Sequence, residues 1–239
     1  MYEDATTVKH VTTDPPRRPR LSRERVLDAA VAIADERGLA ALTIRSLADR
    51  LGSRPMALYH HVRNKEEILD GIVDVVFSEI DLPRIGGDWR AEMRRRADSA
   101  RAVLRRHPWS IGLLESRAAP GPAILRHHDA MIGTLRVAGF SIADTAHVYA
   151  VIDSFVYGFA LQEAGLPFDG PDDVAGFAEG VLDHMPVDEY PWLVEMTTEH
   201  VMQPGYDFGD EFAVGLELIL DSFRLRRRVR GRTRVDPRL

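Results

Sequence analysis

The sequence predicts an all-α fold. Apolar residues recur at three- and four-residue steps in one segment after another, and the segments open on Ser, Thr or Asn and close on Gly or Pro. No stretch of any length alternates with the strand period, and no internal repeat is visible. The expected organisation is a flexible basic arm over 1–20, a three-helix helix-turn-helix domain over 21–80, a larger helical domain over 88–228 and an Arg-rich tail over 229–239.

The first helix follows Ser22, a suitable N-cap, and stops at Gly38, where a left-handed residue is needed. Val26, Leu27, Ala30, Ile33 and Ala34 form its single apolar stripe. Thr43 caps the second helix, Ile44 to Leu51, and Gly52-Ser53 turns the chain. The third helix is expected from Arg54 to about Val62, capped by Ser53; Pro55 is tolerated because a first-turn amide has no intrahelical acceptor to lose. Asn64 caps the fourth, with Glu67 completing a capping box ahead of Ile68, Leu69, Ile72 and Val73.

Asp81 to Gly87, reading DLPRIGG, breaks that helix and marks the domain boundary. Helices are then expected from Asp88 to about Arg106, from Trp109 to Glu115, and from Pro120-Gly121-Pro122 to Gly139. Ser141 opens a long helix to Ala164 with Val148, Ile152, Phe155 and Phe159 at helical steps. A looser, proline-marked region follows, and the last helix runs from Asp210 to about Arg228.

Composition is that of a globular protein, 45% apolar and 28% charged, and without cysteine it excludes disulfides and Cys-ligated zinc. Nothing before Ser22 has the apolar core of a secretory signal, and no apolar run approaches the roughly 18 residues of a membrane span. A cytoplasmic protein is expected. The net charge of −6 conceals segregation: residues 17–65 hold 11 Lys/Arg against 5 Asp/Glu, residues 224–239 hold 8 Arg against one Asp, and residues 66–223 carry −17. A basic lobe joined to an acidic one lets the first approach phosphate while the second is held away.

In the helix-turn-helix, Leu58 and Val62 must face Leu47 and Leu51, which leaves Arg54, Pro55, Ala57, Tyr59, His60 and His61 on the open face. Tyr59, one residue after buried Leu58, points outward, where a phenol can donate to a phosphate; packing on the bundle is the alternative. Lys65, at a helix start, is poorly placed until an anion pairs with it. Ala57 offers a methyl suited to thymine, and Pro55 and Met56 make no bidentate hydrogen bond. Arg54 is the side chain able to read guanine, or it grips phosphate. The Pro-Arg-rich arm either reaches a groove or stays a solvated tail.

The string LTIRSLADRLGSRPMALYHHVRNKEEILD resembles the DNA-binding segment of the TetR family of one-component transcriptional regulators, with the L-Y-x-H-V/F-x-N/S-K signature at Leu58, Tyr59, His61, Val62, Asn64 and Lys65. By that resemblance Arg45 also contacts backbone or a base edge, and the DNA-binding set becomes Thr43, Arg45, Arg54, Pro55, Met56, Ala57, Tyr59, His60, His61 and Lys65. Residues from about 107 to 224, through HPWSIGLLESR, DSFVYGFALQEAG and GLELILDSF, look like the tetracycline-repressor type of C-terminal domain.

That second domain carries more bulk than spacing helices apart requires, as a small-molecule cavity would; ordinary core is the alternative. The candidate lining is His107, Trp109, Leu113, Leu114, His127, Met131, Tyr149, Phe155, Phe159 and Gln162. No metal or cofactor is expected. Adjacent His127 and His128 point about 100° apart on a helix and cannot share an ion. At the positions where the resemblance implies two histidines and a glutamate for a drug-magnesium chelate, this chain has Leu113, Ser154 and Gln162.

No nucleophile elbow, phosphate loop or HExxH helix is present, so no enzyme activity is expected. The resemblance implies a homodimeric, ligand-responsive transcriptional regulator, a repressor released from palindromic double-stranded operator DNA by a small-molecule effector, with no membrane contact. The alternative is a helical small-molecule-binding protein or enzyme carrying a vestigial DNA-binding module. The long helix and the last one, through Tyr149, Val151, Val156, Val214, Leu218 and Leu220, are expected to form a four-helix dimer contact.

Overall fold

The computed structural model describes residues 20–114, 120–168 and 171–223, and all their regular structure is helical. Residues 1–19 of the expected arm and all of the expected tail lie outside the described residues. Helix α1 (Arg23–Arg37) starts where the Ser22 hydroxyl accepts from the Arg25 amide and stops at Gly38, φ +74°. Helix α2 (Ile44–Leu51) begins with a reciprocal pair in which the Thr43 hydroxyl accepts from the Ser46 amide and the Ser46 hydroxyl from the Thr43 amide. Gly52 ends it in the left-handed region, φ +59°.

Helix α3 is shorter than the spacing suggests, only Pro55–Leu58, and Ser53 does not cap it. Tyr59, His60 and His61 continue as a turn, with the Val62 amide still reaching the Leu58 carbonyl. Leu58 and Val62 are the only apolar anchors in this stretch, too few to hold further helical turns against solvent. Asn64 caps α4 (Lys65–Ser78) by accepting from the Glu67 amide, but the Glu67 carboxylate reaches the Arg63 amide rather than that of Asn64.

Two apolar cores meet inside α4. Ile68, Leu69 and Ile72 pack with α1, α2 and Leu58, whereas Val73, Val76 and Phe77 belong to the second core. That core is built by α5 (Trp89–Arg106), α6 (Ile111–Leu114), α7 (Pro122–Ala138), α8 (Ile142–Ala164) and α11 (Glu211–Ser222). Between α8 and α11 lie α9 (Pro171–Asp183) and the short α10 (Pro191–Met196). The region expected to be loose therefore holds a 13-residue helix. Its two glycines, Gly176 and Gly180, and the prolines Pro171 and Pro186 hid it, and among its described residues only Val174 and Ala178 are buried.

Polar contacts join the first domain to the second. Asp35 of α1 accepts from His107 Nδ1 at 2.7 Å and from Trp109 Nε1 at 2.6 Å, and Trp109 and Leu113 pack on both cores. Asp74 of α4 accepts from the Ala123 and Ile124 amides, so a side chain of one helix caps the start of α7. Gly121 is required there, since a Cβ would stand 2.3 Å from the Asp74 carboxyl. Among the described residues no helix is long and apolar enough to cross a membrane.

Candidate nucleic-acid interface and ligand cavity

The helix-turn-helix presents one open face. Thr43, Arg45, Arg54, Pro55, Met56, Tyr59, His60 and Lys65 are exposed, and Ala57 and His61 are half-buried. The Thr43 hydroxyl is engaged with Ser46, which fixes the start of α2. Of the five cations between residues 44 and 65, Arg50 is paired with Glu36 at 2.7 Å and Arg63 with Glu67 at 3.5 Å. Arg45, Arg54 and Lys65 have no carboxylate partner among the described residues, and all three are exposed, as is Tyr59.

In the second domain a cavity of about 560 Å³ opens between α4, α6, α7 and α8. Phe77, Leu114, Ile124 and Ala150 give it apolar walls, and His128, Tyr149, Asp153, Ser154 and Tyr157 a polar side. Leu114 and Tyr149 are the candidates that the sequence places here and that line it. His107 and Trp109 instead sit at the seam with α1, and half-buried Leu113 packs across both cores. Met131 is buried in the core, Phe155 and Phe159 stack with Phe212 and Phe208, and Gln162 is exposed.

Beneath the polar side lies a charged network. Arg96 is 0% exposed and donates to Asp153 Oδ1 at 2.6 Å, to His127 Nε2 at 3.2 Å and to the Tyr157 hydroxyl at 3.3 Å. His127 is therefore neither a surface nor a lining imidazole: it is fully buried, with the Phe77 ring edge-on at 5.7 Å. Sequence reasoning missed Arg96 and Asp153, although both sit on apolar stripes, Met93-Arg96-Ala97-Ala100 and Ile152-Asp153-Val156. A charged residue at a core position of a helical stripe is the signal that finds them. Phe77, which the sequence reading did not single out, is the link from this cavity to α4.

Burial, the Arg96 cation and His128 hold the His127 imidazole down at about 3. Burial likewise lowers His128, against a partial opposing pull from Asp153. Both rings are neutral in the folded protein near pH 7. Below about 6.5 the unfolded chain takes up protons that the fold refuses, so stability falls as pH falls. Glu92, held at about 2 by the Arg84 amide and then Arg95, adds its loss only below 4.5. Between pH 6.5 and 4.5 the His127 imidazole should contribute a slope of up to about 1.4 kcal/mol per pH unit, and His128 acts in the same direction. His127→Gln, which keeps an acceptor for Arg96, should remove the His127 share of that slope in urea unfolding at pH 7, 6 and 5. An unchanged slope would place the acid sensitivity elsewhere.

An open cationic face on a helix-turn-helix, joined through one helix to a cavity-bearing helical lobe, defines a DNA-binding protein with a sensor domain. Residues 26–72 match the family profile described as bacterial regulatory proteins, tetR family, and residues 82–226 match that of the tetracyclin repressor-like C-terminal domain. The chain is 33% identical over 179 residues to an HTH-type transcriptional regulator of Saccharopolyspora erythraea, covering 74% of this chain and 75% of the relative. It is 30% identical over 213 residues to the class A tetracycline repressor from transposon 1721 of Escherichia coli, covering 88% and 94%. The crystal structure of the TetR family protein ActR of Streptomyces coelicolor in complex with actinorhodin superposes with a TM-score of 0.70 at 27% identity, covering 84% of this chain and 94% of that one. This chain belongs to the TetR family. It is a ligand-responsive, DNA-binding transcriptional regulator.

Proposed function

We propose that the protein is a homodimeric repressor that binds a palindromic operator and leaves it when a small molecule occupies the cavity between α4 and α8. It acts by binding alone and needs no catalytic group. The observation that carries the DNA half is the selection among cations: Arg45, Arg54 and Lys65 are exposed and left without carboxylates, while Arg50 and Arg63 are neutralised. Tyr59, Lys65 and Arg45 meet phosphate, and Arg54 and Ala57 meet base edges, with Pro55, Met56, His60 and His61 completing the surface.

The sensor half rests on α4. Its first residue, Lys65, belongs to the DNA face, and Phe77, three turns later, forms the cavity wall. A ligand that displaces Phe77 shifts the helix carrying the DNA face, and the Asp74 and Asp35 contacts hold the lobes in register until it does. The effector is read as something other than a metal-chelated tetracycline, because Leu113, Ser154 and Gln162 stand where the resemblance implies two histidines and a glutamate for a drug-magnesium chelate.

Lys65→Ala and Tyr59→Phe are expected to weaken binding about equally on all DNA sequences, and the lysine change should also flatten the salt slope by roughly one unit. Arg54→Ala should change which base pairs are preferred. Fluorescence anisotropy at several salt concentrations reads both effects. If Lys65→Ala leaves affinity and salt slope untouched, this face is not the one that meets DNA.

A further inference from the structure

The cavity does not end at Tyr149. The same ring walls a second recess of about 250 Å³, lined by Ile132, Arg136, Ile142, Thr145 and Ala146. The two recesses share Tyr149, and both are lined by residues of α7 and α8. On α7 the facing residues His128, Ile132 and Arg136 fall four apart; on α8, Ala146, Tyr149 and Asp153 keep the same helical step. The shared Tyr149 ring meets that of His128 edge-on, with centroids 5.5 Å apart and planes at 85°.

The two recesses differ in chemistry. The larger one offers the Asp153 carboxylate and the Ser154 and Tyr157 hydroxyls. The Asp153 charge is matched by Arg96, and His128 is neutral, so the site suits an uncharged donor rather than an ion. The smaller recess is apolar. The Arg136 guanidinium is turned to the Phe140 carbonyl, which leaves its aliphatic stem beside Ile132, Ile142 and Ala146. Ile132 and Ile142 are exposed, so apolar surface stands uncovered at this recess.

We infer that the effector is a neutral amphiphile: a hydroxylated head lies against Asp153 and Tyr157, and an apolar arm displaces the Tyr149 ring and occupies the recess between Ile132, Ile142 and Ala146. Tyr149 then sets specificity by deciding how long an arm is admitted. This rests on the reading of the larger cavity as the effector site.

A series of probes tests it on the full chain: 4-ethylphenol, 4-butylphenol and 4-hexylphenol, titrated by calorimetry. In the wild type each added methylene should tighten binding about fourfold. Ala146→Trp, at an exposed position that tolerates bulk, should leave 4-ethylphenol within twofold and abolish the gain along the series; Ile132→Trp should do the same. Tyr149→Ala should favour 4-hexylphenol over 4-ethylphenol at least fivefold more than the wild type does. A chain-length gain that survives both tryptophan variants overturns the inference, as does absence of saturable binding by all three probes. The cavity reading fails separately, if Leu114→Trp, inside the larger recess, leaves 4-ethylphenol binding unchanged.

Discussion

Asp153→Ala is expected to destabilise the protein by about 3–5 kcal/mol, because it leaves the Arg96 guanidinium buried without its counter-charge. Arg96 is fully enclosed, and its other partners, His127 and Tyr157, are neutral and take up none of that charge. The cost is one of an orphaned ion rather than of a lost contact. Arg96→Met combined with Asp153→Leu should therefore recover most of the loss, since an apolar pair of similar volume needs no solvation. Urea unfolding of the three variants reads this directly. A loss below about 1 kcal/mol for Asp153→Ala would mean that water reaches Arg96.

Leu218→Arg is expected to yield a folded monomer that no longer binds operator. Leu218 is 68% exposed, and Val214 lies one turn away on α11; on α8, Val151 and Leu161 line a strip that passes through Ser154 and Gly158. An arginine at so open a position costs the isolated chain little, within about 0.5 kcal/mol, so its effect should appear only in association. Val151→Arg is the second arm. Sedimentation at micromolar concentration should show monomers with unchanged helicity for both, and dimers persisting in both would put the contact on other surfaces. Val156 and Leu220, expected from spacing to serve this contact, are buried inside their own lobe and are not available to a partner.

Helices with a strong cap at one end and a glycine at the other were legible in the sequence. Ser22 and Gly38 bound α1, Thr43 and Gly52 bound α2, and Ser141 starts α8 as its side chain requires. Where such local signals are weak, tertiary context decides: α3 stops at Leu58 for lack of apolar anchors, and α9 forms on two small buried residues. The open DNA face was legible because burying Leu58 and Val62 dictates which neighbours point outward. The cavity was less so. Bulk alone does not separate lining from core, and His107, Trp109, Phe155 and Phe159 satisfy the same pattern while serving the seam and the α8–α11 packing. Contacts between distant residues, Arg96 with Asp153 and Asp74 with the α7 amides, leave only the trace of a charge on an apolar stripe.

Selection of bound duplexes from a random-sequence pool, followed by native mass spectrometry of the enriched complex, tests the central claim most directly. Two recognition surfaces related by a two-fold axis read DNA about 34–36 Å apart, or a multiple of that. The account predicts an inverted repeat whose half-sites keep that spacing, with an even number of protein chains on each duplex and binding lost for Lys65→Ala. Enrichment of an asymmetric site held by a single chain, or no enrichment over the starting pool, would contradict it.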